Sequence, residues 1–135
     1  NSQRQPTDDR PPTINDNRQQ STSMTLADLK ESLDSSFKSL TNREFSVFMA
    51  LYELDKEKGG YIAYSELSQR LNISESTVRD FVNQIIRKNI PIQKYREFNK
   101  KVSLSIKDEF RRLNLYQNLL KLRTNRQGQR TLFDT

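Results

Sequence analysis

The spacing of apolar side chains changes between residues 45 and 106, and few small architectures accommodate the change. Phe45, Phe48, Leu51, Tyr52 and Leu54 recur every three or four residues, as do Val78, Phe81, Val82, Ile85 and Ile86. Both sets describe one buried stripe of a helix. From Ile90 to Arg96 and from Lys101 to Ile106 the period falls to two, which predicts two strands around a turn at Glu97-Phe98-Asn99-Lys100. Thr41-Asn42-Arg43-Glu44 has the form of a capping box that opens the first helix, and Gly59-Gly60 supplies the left-handed backbone that closes it. Tyr61-Ile62-Ala63 then reads as a short strand.

Between the two helical stripes lies Tyr64-Ser65-Glu66-Leu67-Ser68-Gln69-Arg70-Leu71-Asn72-Ile73-Ser74, followed by Glu75-Ser76-Thr77-Val78-Arg79-Asp80-Phe81-Val82. Leu67 and Leu71 mark the inner face of a short helix. Asn72-Ile73 forms a turn with an apolar plug, and Ser74 is placed to cap the next helix. This segment, Ser65 to Asn89, resembles the helix-turn-helix of winged-helix regulators of the prokaryotic kind, at the level of the superfamily. The resemblance implies a mainly α fold with a small β-hairpin as the wing, together with DNA binding through the second helix.

On that helix the outward side collects Ser76, Asp80, Asn83 and Arg87, flanked by Thr77, Arg79 and Gln84. In a major groove, Asn83 or Gln84 would pair with adenine and Arg79 with guanine, while Ser76 and Thr77 would meet phosphates or bases. Asp80 and Glu75 would repel phosphate unless turned to a base amino group or a neighbouring arginine. Lys94, Arg96, Lys100 and Lys101 lie on or beside the wing, where they would hold the backbone. Tyr95 and Phe98 are expected to pack within the hairpin.

The charge distribution agrees with this placement. The chain of 135 residues carries a net +6, but residues 1–23 are neutral and residues 24–60 carry −2. Residues 61–106 and 107–135 each carry +4, so the basic half begins where the helix-turn-helix pattern begins.

Around this centre we expect a disordered tail at 1–23, an amphipathic helix at 24–40, the winged domain at 41–106, a C-terminal helix at 107–123 and a flexible tail at 124–135. The tail at 1–23 has Ile14 as its one large aliphatic residue and cannot offset its ordering entropy by burial. Leu26, Leu29, Leu33, Phe37 and Leu40 form the stripe of the flanking helix, with Thr25 and Asp28 as its capping box. That stripe either packs on its own domain, the preferred reading, or forms a short homodimer seam. Ser105 and Asp108 are expected to cap the C-terminal helix, whose Phe110, Leu113, Tyr116, Leu119, Leu120 and Leu122 serve dimerisation or pack on the helix at 26–40.

The last residues, Gln129-Arg130-Thr131-Leu132-Phe133, restore apolar character after a polar stretch. They resemble the sliding-clamp-binding peptide of replication and repair proteins, in which Gln129, Leu132 and Phe133 would enter pockets on the clamp. The later aromatic pair of the archaeal form is absent. The competing expectation is that Leu132 and Phe133 fold back on the domain.

The absence of Cys and His removes zinc fingers, disulfide frameworks and thiol or imidazole catalysis. No apolar run approaches the roughly 20 residues of a membrane span. The expectation is a cytoplasmic, nucleoid-associated protein, and the start at Asn1 suggests a fragment or a processed chain. Carboxylates on helix faces and the lack of a glycine-rich phosphate loop argue against an enzyme, and we expect neither metal nor cofactor. The function expected is sequence-specific double-stranded DNA binding by a dimeric transcriptional regulator. The alternatives are a protein-interaction adaptor, or a replication or plasmid-maintenance factor tethered to a clamp.

Overall fold

The computed structural model describes residues 25–124 and 132–133. It divides into a unit ending at Ser32 and a unit over Leu33–Thr135. The tail expected at 1–23 and, within the tail expected at 124–135, residues 125–131 and 134–135 with the clamp residue Gln129 lie outside the described residues.

The first unit contributes the opening turns of α1 (Leu26–Lys38). Thr25 and Asp28 satisfy each other's backbone N–H groups there, at 3.4 and 3.0 Å, as the sequence predicts. The second unit is mainly helical with one three-stranded antiparallel sheet. After the end of α1 it runs α2 (Asn42–Lys58), β1 (Ile62–Ala63), α3 (Tyr64–Leu71), α4 (Glu75–Arg87), β2 (Ile92–Arg96), β3 (Val102–Ile106), α5 (Asp108–Arg111) and α6 (Tyr116–Thr124).

The core of the second unit forms around α2, because this helix is apolar on nearly every side rather than on one face. Phe45, Val47, Phe48, Met49, Ala50, Leu51, Tyr52 and Leu54 are all buried. Such a helix is stable only when other elements cover all of it. Phe37, Phe48 and Phe110 meet with ring centroids 5.0 to 6.1 Å apart, joining the end of α1 and, through Phe110, α5 to this centre. At its start, Thr41 and Glu44 form the expected capping box, with bonds of 3.1 and 2.9 Å. At its end, Gly59 adopts φ 81° and donates its N–H to the carbonyl of Asp55 at 2.7 Å.

The sheet order is β1-β3-β2, so the last strand in sequence lies in the middle. Ile62 pairs with Leu104, and Ile92 through Arg96 pair with Ile106 through Val102. Strand β1 covers only two residues, and beyond it the carboxylate of Asp55 accepts the Ile106 N–H at 2.9 Å. Arg111 clasps the same carboxylate with two donors at 3.0 and 2.9 Å.

The C-terminal region corrects one expectation. The single helix expected over 107–123 is two helices, separated where Asn114 adopts φ 52°. Ser105 does not cap it, because that residue is buried in β3 opposite Gln93. Lys107 holds the cap position, and Asp108 is paired with Arg111 at 2.7 Å. No helix among the described residues is long and apolar enough to cross a membrane.

Candidate nucleic-acid interface

Helices α3 and α4 are joined by Asn72-Ile73-Ser74. Asn72 ends α3 in the left-handed conformation, φ 58°, which Asn tolerates better than most residues. Ile73 is half-buried in the turn, and Ser74 caps α4 by accepting the Thr77 N–H at 3.2 Å. Val78, Val82 and Ile85 then face the core and Phe81 and Ile86 flank them, leaving the opposite side of α4 to solvent.

The β2–β3 hairpin closes with Lys100 N–H to the Glu97 carbonyl at 2.8 Å and Glu97 N–H to the Lys101 carbonyl at 2.9 Å. Asn99 accepts the Lys101 N–H at 3.0 Å, and Lys100 takes φ 65°. Tyr95 stays within the hairpin through its hydroxyl, which donates to Gln93 Oε1 at 3.1 Å, but its ring packs outside it, 4.9 Å from that of Tyr61. Phe98 does not pack within the hairpin. It stands fully exposed at the tip of the turn.

One edge of α4 faces this hairpin across a concavity of about 550 Å³. Arg79 and Asn83 line it from the helix, and Lys94, Arg96, Lys100 and Lys101 from the hairpin. Five basic side chains therefore converge against one acidic one, Glu75. Glu75 is turned to Arg79 at 3.5 Å, the arrangement that relieves its repulsion of an anion. Lys94 Nζ donates to Asn83 Oδ1 at 2.6 Å, which pins the hairpin to the helix.

Tyr64 and Ser65 also line the concavity and were not among the sequence-predicted site residues. Arg79 lies over the Tyr64 ring, 5.0 Å from its centroid. Burial pushes the Tyr64 phenol above its ordinary value against the opposing pull of Arg79 and Arg96, so the ring is neutral under the cation. No local pattern marks this pairing, because the two residues are 15 apart and meet only through the fold.

The remaining expected contacts are placed differently. Ser76, Asp80, Gln84 and Arg87 are exposed on α4 outside the concavity. Thr77 is half-buried, with its hydroxyl 2.8 Å from that of Ser74, so it belongs to the helix cap. Leu132 is fully buried and donates its N–H to Asp34 Oδ1 at 2.6 Å, while Phe133 packs against the same core. Folding back on the domain thus accounts for both apolar residues, and in this conformation Leu132 is not presented to a clamp.

Comparison with known proteins adds no relative: no family model, no curated protein and no solved structure matches the chain.

Proposed function

We propose that this chain is a winged helix-turn-helix protein that binds double-stranded DNA sequence-specifically and acts as a transcriptional regulator. Helix α4 enters the major groove and the hairpin is the wing that lies against the phosphate backbone. The observation that carries this reading is the convergence of Lys94, Arg96, Lys100 and Lys101 on the Arg79–Asn83 edge of α4. A helix with a merely solvated outer face has no need of a basic hairpin pinned along it. The element order and the strand order β1-β3-β2 support the same assignment.

The cations supply affinity through release of counterions, and the polar face of α4 supplies discrimination. Fluorescence anisotropy with a labelled duplex at a series of salt concentrations tests this. We expect log K to fall with log salt with a slope of about −3 to −5, as for three to five neutralised phosphates. No binding to any duplex at low salt would overturn the proposal.

Self-association is the second part of the proposal. Leu26 and Leu29 are 63% and 42% exposed, which suits a seam with a second copy. Sedimentation equilibrium with Leu26→Glu and Leu29→Glu tests it, with loss of the dimer expected.

A further inference from the structure

We propose that Lys94 sets the base read by Asn83, making it guanine rather than adenine. The inference rests on the DNA-binding reading above and sharpens it to a base.

An asparagine reads adenine by using both ends of its amide. Its oxygen accepts from the N6 amino group and its nitrogen donates to N7. Here Lys94 engages one of the two lone pairs of that oxygen, and its ammonium sets a positive charge and further donors beside the other. Lys94 Nζ lies 2.6 Å from the Asn83 amide, and an ammonium has donors but no acceptor. The amide atom facing it must therefore be the oxygen, which fixes the flip of the side chain. Nδ2 turns away from Lys94, and among the described residues it has no hydrogen-bond partner.

The pair then offers the concavity donors on both sides: the two N–H groups of Asn83 and the two remaining N–H groups of Lys94. Guanine presents two acceptors, N7 and O6, in the major groove. Adenine presents one acceptor beside an amino group, and that amino group would face another donor. Cytosine presents an amino group alone, and thymine a single acceptor beside a methyl group. Only guanine matches a two-donor array. One turn before Asn83 on the same edge stands Arg79, a donor fork with the same preference. This edge of α4 thus reads two purines of one kind.

The test is selection from a pool of randomised duplexes, followed by anisotropy titration of the selected site and of its guanine-to-adenine counterpart. For the wild type we expect a guanine column that depends on Asn83, with a preference over adenine of about tenfold or more. Asn83→Ala should erase that column and leave the others. Lys94→Met frees Oδ1, and the column should change to adenine. Lys94→Arg retains a donor to Oδ1 and should keep guanine. Both residues lie at the surface, and matched thermal midpoints would show that the variants are folded.

Adenine at this column in the wild type, or guanine unchanged in Lys94→Met, overturns the inference. So does duplex binding without any base preference, which leaves DNA binding itself intact. Absence of duplex binding at low salt removes both together.

Discussion

Lys88 Nζ lies 2.6 Å from Glu44 Oε1 and 2.9 Å from the carbonyl oxygen of Ser39. One ammonium just past α4 thereby fastens that helix to the segment that opens α2. Glu44 is buried, and its other duty is to cap the Thr41 N–H.

This pair gives the fold an acid-sensitive point. Burial raises the Glu44 carboxyl, but the hydrogen bond from Lys88 and the Thr41 N–H outweigh it and leave the group below its ordinary value of 4.5. A folded value below the unfolded one contributes stability that is present above pH 4.5 and lost as the pH falls through the folded value. Glu44→Gln should therefore cost about 2 kcal/mol at neutral pH and flatten the acid limb of stability. Urea midpoints of both proteins across a pH series measure this, and parallel acid limbs would refute it.

The Asp55–Arg111 pair should matter more. Asp55 is 1% exposed and satisfies both the Ile106 N–H, which β1 is too short to reach, and the Arg111 guanidinium. Asp55→Ala leaves the Ile106 N–H without its partner and Arg111 with Asp108 as its remaining carboxylate, and should cost about 3 kcal/mol in urea unfolding. Arg111→Lys cannot reproduce the two-donor clasp and should recover only part of the wild-type stability.

Two apolar residues that look alike in sequence should behave oppositely. Leu132→Ala removes a fully buried side chain and should lower stability by about 2–3 kcal/mol. Phe98→Ala removes a ring that touches no core and should leave the thermal midpoint within about a degree. Calorimetry of the two variants side by side is sufficient, and equal effects would contradict the assigned burial.

The two cations at the hairpin turn, Lys100 and Lys101, should act on DNA binding without regard to sequence. Lys100→Ala or Lys101→Ala should weaken all duplexes alike and reduce the magnitude of the salt slope by about one each. Anisotropy on a selected and a random duplex checks both statements. A change confined to the selected duplex would instead assign these lysines to base contacts.

Much of the fold was legible in the sequence where the determining contacts are local. Thr25–Asp28, Thr41–Glu44, Ser74 and Gly59 each act within a few residues of themselves, and each was placed correctly from type and spacing. The alternation of apolar side chains likewise marks β2 and β3, although in β3 the intervening Ser103 and Ser105 are buried as well. What escaped was set by distant partners. Ser105 has the right residue type for a cap, but pairing with Gln93 extends β3 past it. The break at Asn114 carries no glycine or proline to announce it. At the candidate site the residue types on α4 and the hairpin were readable. The Lys94–Asn83 bond was not, because it depends on how strand and helix register in space.

The hydrogen bond between Leu132 and Asp34 joins positions 98 residues apart, so the second unit is nearly a ring. The chain enters and leaves this unit at one spot. A sequence joined there would hang from a single stalk, and a circular permutant that splices residue 132 to residue 34 through a short linker should retain the fold. New ends would be best opened at the Phe98 turn, where residues 97–101 are all exposed.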